Sequence, residues 1–255
     1  MARRKKKAYD VTITGIADKG KAVGRDQEGM VYFVDGAVPG DVVDVQTFKK
    51  RKAYYEGKAT VFHKLSGKRA QPACEHFGVC GGCKWQNMAY EHQLFYKQKE
   101  VTNNLIRIGQ IELPEITPIL GSENQYFYRN KMEFSFSDSR WLRLEEIQSD
   151  EDLGDRNALG FHIPGMWDKI LDLNKCHLQA DPSNAIRNAV KQFAVENELE
   201  FFNTRNQTGL LRTMMIRTSS TGNIMVMLQF FKEDKTKREL LLNFIAETFP
   251  QITSL

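Results

Sequence analysis

Cysteine is scarce in this sequence, and long apolar runs are missing from it. Only four of the 255 residues are cysteine. No hydrophobic stretch approaches the roughly 20 residues that a membrane-spanning helix needs, so no membrane partner is expected. The basic start "MARRKKKAYD" has no apolar stretch after it, and a secretory signal is therefore not expected. These absences predict a cytoplasmic protein with reduced thiols, which favours metal ligation over disulfides.

Charge is distributed unevenly along a chain whose length allows two or three domains. Residues 1–70 hold sixteen Lys and Arg against eight Asp and Glu, a net charge of +8. The remainder carries −4, because the whole chain is +4. A basic leading segment predicts a polyanionic partner, with nucleic acid first. For Arg3–Lys7 alone, a solubilising tail is an equally good interpretation.

Residues 9–68 have the pattern of a small β-barrel. β-Branched and aromatic runs are separated by turn-rich segments such as "DKGKAVGRDQEG" and "AVPGD". The runs lie at 11–16, 29–37, 40–48 and 54–65. Four or five short strands in about 60 residues predict a closed barrel of the OB-like, oligonucleotide-binding kind.

One basic segment of this barrel, "FKKRKAYY" (48–55), is a candidate RNA contact. It interleaves aromatic residues with four cations: Lys49, Lys50, Arg51 and Lys52. Such a combination binds phosphates by charge and bases by stacking. A solvated hairpin tip is the alternative interpretation of the basic run.

Three of the four cysteines fall within "CEHFGVCGGCKWQ" (74–86). Cys74, Cys80 and Cys83 have the spacing C-x5-C-x2-C, with two glycines in the last gap. Ligation of a metal or cluster requires that thiolates converge, and glycine permits the sharp turns that this needs. The segment therefore predicts a metal or iron–sulfur site.

The fourth cysteine, Cys176, lies far away in "LNKCHLQ". A distant fourth ligand after a compact trio is common in iron–sulfur sites, whereas zinc sites usually combine two close pairs. The spacing favours a cluster over zinc. His63 and His76 keep a mixed zinc site open.

The order of these features resembles the family of RNA 5-methyluridine methyltransferases. A basic barrel is followed by the cysteine segment and by an amphipathic helix at 89–109. Further matches are "YRNKMEFSFS" (128–137), "LGFH" (159–162), "KCHL" (175–178) and "LRTMMIRTSSTGNIMVML" (211–228). The resemblance implies a TRAM barrel, a central α+β domain with a 4Fe–4S cluster, and a Rossmann-like domain that binds S-adenosylmethionine.

The resemblance also assigns site residues. The implied cluster ligands are Cys74, Cys80, Cys83 and Cys176. The implied RNA contacts of the central domain are Arg129, Lys131, Arg212 and Arg217, for which structural ion pairs are the alternative interpretation.

Two features of that family are not found in the sequence. Its reaction uses a cysteine that adds to C6 of uracil and a carboxylate base that removes the C5 proton, but all four cysteines are already assigned to the cluster. No strand, Gly-rich turn and helix for S-adenosylmethionine follow one another. We therefore expect the Rossmann-like methyltransferase domain to be absent and the chain alone to be inactive.

The expected fold is an all-β OB-like (TRAM) barrel followed by an α+β central domain. The expected domains are a basic arm at 1–8, an RNA-binding barrel at 9–68 and the iron–sulfur domain at 69–255. We expect helix 89–109 to pack on the missing catalytic domain, so that its bare stripe allows a dimer.

The predicted function is the RNA-binding and iron–sulfur portion of an S-adenosylmethionine-dependent RNA uracil-C5 methyltransferase. Structured RNA is the expected partner, with 23S rRNA ahead of tRNA. The alternatives are a stand-alone iron–sulfur or zinc RNA-binding module, a redox carrier, or a tRNA enzyme. The sequence shows no flavin or second-cluster motif, which favours a structural role for the cluster over electron transfer.

Overall fold

The computed structural model describes residues 6–149 and 153–255. Its contacts divide the chain into two units, Met1–Gly78 with Cys83–Glu123 and Val79–Gly82 with Asn124–Leu255. Residues 1–5 of the predicted basic arm lie outside the described residues. The predicted boundary at residue 69 falls inside the first unit, because the segment after the cysteines folds with the barrel. Each described helix is too short or too polar to cross a lipid bilayer.

Five strands of the first unit close into a barrel in the order β1-β2-β3-β5-β4. They are β1 (Lys7–Ala17), β2 (Lys21–Arg25), β3 (Val31–Asp35), β4 (Val42–Lys50) and β5 (Tyr54–Lys64). The strands alternate between core and solvent, as a half-buried sheet requires. The inward side chains Val11, Tyr32, Val34, Val43 and Val45 are completely buried.

Strand β2 corrects the interpretation of "DKGKAVGRDQEG" as turn chemistry throughout. The segment contains a strand because Gly24 faces the core where β1 and β2 approach closely. A Cβ atom at Gly24 would lie 2.6 Å from the carbonyl oxygen of Thr12. A glycine inside a strand pattern marks such a close approach as readily as a turn.

Helix α1 (Tyr90–Arg107) belongs to the first unit. Its Tyr96 packs in a small buried cluster with Val38 and Met88, and Trp85 covers the edge of this cluster. The Trp85 indole N–H donates a hydrogen bond of 3.0 Å to the Gly20 carbonyl. The N-terminal half of α1 is therefore anchored to the barrel.

The second unit contains a five-stranded antiparallel sheet in the order β10-β9-β6-β7-β8. Its elements are β6 (Lys131–Ser137), α2 (Leu144–Gln148), β7 (Ala158–His162), β8 (Ile170–Asp172), α3 (Ser183–Glu196), β9 (Leu211–Thr218), β10 (Ile224–Phe230) and α4 (Lys235–Thr248). Helix α2 lies at the start of an acidic stretch of the sequence. This short helix forms because Glu146 accepts the backbone N–H of Arg143 at 2.8 Å.

One face of this sheet carries the core of the second unit. Met132, Phe134 and Phe136 alternate along β6 and are buried, and α3 contributes Ile186 and Val190 at helical spacing. Helices α3 and α4 pack through the stacked rings of Phe193 and Phe244, whose centres are 4.0 Å apart. The opposite face of the sheet carries exposed side chains on β6, β9 and β10, among them Glu133, Arg217 and Met227.

Candidate RNA-binding surface and cysteine sites

The outer face of the barrel combines exposed aromatic rings with cations. Phe33 on β3 and Tyr54 on β5 point outward and pack edge to face, with ring centres 4.7 Å apart. Phe48, at the end of β4, is 53% exposed, and the Lys21 ammonium lies 5.6 Å from its ring centre. Aromatic platforms flanked by cations bind single-stranded nucleic acid by stacking and charge. We call this set the aromatic–cation face.

Glu56 on β5 is the acidic centre of the same face. Its carboxylate lies 2.7 Å from Lys21 Nζ, 3.5 Å from Lys49 Nζ and 3.9 Å from Arg51 Nε. The hydrogen bond from Lys21 is the main reason why the pKa of Glu56 is lowered. One carboxylate therefore partly neutralises three cations in the absence of RNA.

The two remaining cations of the predicted basic segment take different positions. Lys50 lies over the Tyr55 ring, with its ammonium 5.6 Å from the ring centre. Lys52 is exposed in the hairpin between β4 and β5. Charge pattern could find this segment in the sequence, whereas Lys21 and Phe33 come from other strands and no local pattern links them to it.

His63 lies on the barrel beside two carboxylates. Its Nε2 is 2.7 Å from Asp44 Oδ1 and 3.7 Å from Asp10 Oδ1. The hydrogen bond to Asp44 raises the pKa of His63, and the same bond lowers the pKa of Asp44. Ligand atoms of the three residues lie within 4.8 Å of one another. His63 thus forms an ion pair on the surface of the barrel.

Two of the predicted central RNA contacts are neighbours on the open face of the second sheet. Lys131 on β6 pairs in register with Arg217 on β9, and Arg217 pairs with Met225 on β10. Neither cation has an ion-pair partner among the described residues. Arg217 and Asn130 also line a polar cavity of about 350 Å³ beside this row. The pair is available to phosphate.

The other two predicted contacts lie differently. The guanidinium of Arg212 is 4.0 Å from the ring centre of Phe202, which is 1% exposed. Arg129 is exposed, and its backbone N–H donates to the Leu178 carbonyl at 2.8 Å. Arg212 therefore packs on an aromatic ring and forms no ion pair among the described residues, while the Arg129 side chain faces solvent.

Cys74 and Cys83 belong to the first unit, and both are partly exposed. The backbone N–H of Cys74 donates to Gln86 Oε1 at 3.2 Å, and its carbonyl accepts from the N–H of Phe77 at 3.1 Å. The nearby His76 is 3% exposed and lies 3.5 Å from Glu75. Local hydrogen bonds therefore turn the chain at Cys74.

Cys80 belongs to the second unit with the two glycines that follow it. Gly81 has φ +72°, and a Cβ atom there would lie 2.1 Å from Pro164 Cγ. A Cβ atom at Gly82 would lie 3.3 Å from Cys80 Sγ. A side chain at Gly81 would therefore collide with Pro164, and one at Gly82 would crowd the Cys80 sulfur.

Cys176 also belongs to the second unit, and Asn184 holds its backbone at both ends. The Cys176 N–H donates to Asn184 Oδ1 at 2.8 Å, and the Asn184 amide donates to the Cys176 carbonyl at 3.1 Å. The neighbouring Arg187 is 1% exposed. Burial is the main reason why the pKa of Arg187 is lowered, and the Cys176 sulfur opposes that shift. Sequence reasoning missed Arg187, since its spacing marks only a helix.

Part of the first unit matches a known domain family. Residues 3–68 match the family model of the TRAM domain. A Bacteroides thetaiotaomicron protein described as an uncharacterized RNA methyltransferase is 53% identical over 94% of the chain and 53% of its own length. A Porphyromonas gingivalis protein of the same description is 49% identical over 95% of the chain and 53% of its own length. The chain thus spans about half the length of these curated relatives.

A solved structure shares the fold. It is the tRNA (uracil-54, C5)-methyltransferase of Pyrococcus abyssi in complex with S-adenosyl-L-homocysteine. The match has a TM-score of 0.62 and 21% identity, and covers 91% of this chain and 48% of that one. At this identity the likeness concerns the fold alone.

These matches correct two expectations from the sequence, the absence of the Rossmann-like methyltransferase domain and the inactivity of the chain. Both were inferred from motifs that the sequence does not show. The matched relatives carry the description RNA methyltransferase and align over 94% and 95% of the chain, and the matched structure is a methyltransferase holding S-adenosyl-L-homocysteine. Missing motifs were therefore the wrong basis for an argument against methyltransferase function.

Proposed function

We propose that the protein is an S-adenosylmethionine-dependent RNA methyltransferase that acts on C5 of uracil and binds RNA through its TRAM barrel. The observation that carries the proposal is the aromatic–cation face, which lies within the segment that matches the TRAM domain. The two relatives described as RNA methyltransferases support the reaction class. S-Adenosylmethionine supplies the methyl group in this class, and we assign no residue of the chain to it.

The barrel is proposed to bind RNA as a stacking platform. Phe33, Phe48 and Tyr54 offer ring faces to bases, and the neighbouring cations offer charge to the backbone phosphates. In this arrangement Lys21, Lys49 and Arg51 exchange their contact with Glu56 for contacts with phosphate. Lys131 and Arg217, next to the polar cavity of the second unit, are proposed as phosphate contacts of the central unit, with Arg129 beside them.

A test on the barrel follows from the position of Glu56. Glu56→Gln removes the carboxylate that competes with RNA. We therefore expect several-fold tighter binding of a single-stranded RNA at about 0.1 M salt, and a slope of log affinity against log salt concentration that is steeper by about one. Fluorescence anisotropy over a salt series measures both. Glu28→Gln removes an equal charge from the exposed turn between β2 and β3 and is the matched control.

The double variant with Lys49→Gln and Arg51→Gln should weaken binding by about tenfold. The proposal that the aromatic–cation face binds RNA would be contradicted by two results together. The Glu56 and Glu28 variants would bind RNA with equal affinity, and the double variant would bind it as tightly as the unmodified chain.

We further propose that Cys74, Cys80, Cys83 and Cys176 hold a 4Fe–4S cluster. Four thiols match the ligand set of such a cluster, and the glycine at position 82 keeps a side chain away from the Cys80 sulfur. The proposed role is structural, because the cluster ties Cys176 to a segment about 100 residues earlier and so closes a long loop. Anaerobic absorbance near 400 nm with about four irons and four sulfides per chain is expected. One zinc without colour favours the zinc alternative.

The substrate of the reaction is proposed to be structured RNA. The sequence resemblance favours 23S rRNA, and the structural neighbour is a tRNA enzyme. Purified protein should be incubated with labelled S-adenosylmethionine and either transcript, followed by digestion to nucleosides. 5-Methyluridine from the 23S transcript supports rRNA, and from the tRNA transcript it supports the tRNA alternative. Labelling of another nucleoside, or of none, contradicts the uracil-C5 assignment.

A further inference from the structure

Arg187 is a buried cation whose hydrogen-bond acceptors are all neutral. It lies on α3 with 1% of its surface exposed. Its Nη1 donates to Asn184 Oδ1 at 3.1 Å, and its Nη2 donates to the Asn174 carbonyl at 2.8 Å and to Asn188 Oδ1 at 3.0 Å. Its buried Nε has no acceptor among the described residues. A charge removed from water in this way is costly unless an anion balances it.

The two carboxylates that act electrostatically on Arg187 are Asp172 and Asp181, and both already have other partners. Asp172 forms an ion pair with Lys191, and Asp181 accepts a hydrogen bond of 3.2 Å from the Asn184 amide. No carboxylate lies within ion-pair distance of Arg187 among the described residues. The Phe134 ring, with its centre 5.2 Å from the guanidinium, compensates the charge only in part.

Among the neighbours whose charge opposes the effect of burial on the pKa of Arg187, the sulfur of Cys176 comes first, ahead of Asp172 and Asp181. The two residues are also joined through Asn184, whose Oδ1 accepts from both Arg187 Nη1 and the Cys176 N–H. Arg187 holds the Asn174 carbonyl directly. Arg187 thus fixes the segment at Asn174 directly and at Cys176 through Asn184.

We propose that Arg187 is a positioning residue that supplies the buried positive charge for an anionic sulfur cluster ligated by Cys176. The inference rests on the proposed cluster. A cluster with four thiolate ligands carries net negative charge, and nearby charge tunes both its retention and its reduction potential. The two Nη atoms of Arg187 orient the segment from Asn174 to Cys176. The positive charge favours the reduced cluster, because reduction adds a negative charge.

The test compares Arg187→Met, Arg187→Lys and Lys235→Met after anaerobic reconstitution of the whole chain. Lys235 begins α4 of the same unit, and its change removes an exposed cation. We expect Arg187→Met to lose iron to a chelator about tenfold faster than the unmodified chain and to be reduced at a lower potential. Lys235→Met should match the unmodified chain in both measurements.

Arg187→Lys separates the effect of the charge from the effect of the hydrogen-bond geometry. It also replaces Arg187→Met as the test if the methionine variant does not fold. It retains a cation but loses the fork between Asn174 and Asn184. We expect a potential close to that of the unmodified chain together with faster loss of iron. A potential unchanged in Arg187→Met, or lowered equally in Lys235→Met, overturns the role of Arg187 while leaving the cluster intact. When Arg187→Met does not fold, iron loss from Arg187→Lys no faster than from the unmodified chain overturns it. An unmodified chain that binds zinc or no metal overturns the cluster and the inference together.

Discussion

Gly81 occupies a position where any side chain would collide with Pro164. Its φ of +72° already disfavours other residues, and a Cβ atom would approach Pro164 Cγ to 2.1 Å. We expect Gly81→Ala to lower the free energy of unfolding by about 2–5 kcal/mol, as the sum of backbone strain and overpacking. Because Cys80 is adjacent, we also expect the iron content of the reconstituted chain to fall by more than half.

Gly78→Ala is the control for the backbone term in this experiment. Gly78 has φ +85°, but a Cβ atom there meets nothing within 4 Å. Gly78→Ala should lower the free energy of unfolding by about 1–2 kcal/mol and leave iron binding intact. Urea unfolding and iron analysis give both quantities. Equal losses of iron in the two variants would show that the contact with Pro164 does not matter to the cysteine loop.

Single residues differ in how far the sequence reveals their role. The spacing of Cys74, Cys80 and Cys83 is local, so their chemistry can be predicted from residue type. Glu56 and Arg187 could not be singled out, because their significance depends on partners from other elements. The RNA contact of Arg212 stays a prediction from the resemblance, and the packing of its guanidinium on Phe202 is a contact that charge pattern alone does not reveal.

At the scale of elements, the pairing of β4 and β5 includes a titratable contact. His63 Nε2 on β5 donates a hydrogen bond of 2.7 Å to Asp44 Oδ1 on β4, and that bond raises the pKa of His63. A raised folded-state pKa contributes stability that is fully present below the ordinary pKa of histidine, about 6.5, and is lost as the pH rises through the raised value. The lowered pKa of Asp44 sets the lower limit of the window.

His63→Gln should therefore loosen this strand pair in weakly acidic buffer and leave it unchanged in alkaline buffer. Amide hydrogen exchange in β4 and β5, taken as a ratio to the unmodified chain at the same pH, measures local opening. High salt should shrink the difference, because the pair is partly exposed. A ratio that is the same at both pH values would contradict the ion-pair explanation.

Element prediction succeeded where periodicity is strong and local. The predicted runs at 11–16, 40–48 and 54–65 overlap β1, β4 and β5, and the predicted helix at 89–109 contains α1. Strand β2 was missed because Gly24 serves a close contact between strands rather than a turn. Strand β6 begins at Lys131, within the matched segment 128–137, since the backbone of Phe127 and Arg129 bonds to residues 177 and 178 instead of to the sheet.

At the scale of the whole molecule, local patterns identify elements but leave the grouping of elements open. The cysteine segment illustrates this limit, because Val79–Gly82 is grouped with the second unit while its flanks belong to the first. Arguments from missing motifs failed at the same scale. A catalytic domain was predicted to be absent on the basis of what was not found, and the relatives overturned that prediction.

The exposed end of helix α1 supports the proposal that the chain forms a dimer. Val101 is 58% exposed and Ile108 79%, and with Leu105 between them they form one apolar stripe. Burial of such a stripe against a second copy is favourable by about 25 cal/mol per Å². We expect the double change Val101→Lys and Ile108→Lys to raise the dimer dissociation constant at least about tenfold, since two desolvated charges then oppose association. Sedimentation velocity over a concentration series measures this, and Lys99→Glu, on the other side of the helix, should leave it unchanged. A chain that stays monomeric at every concentration excludes the dimer.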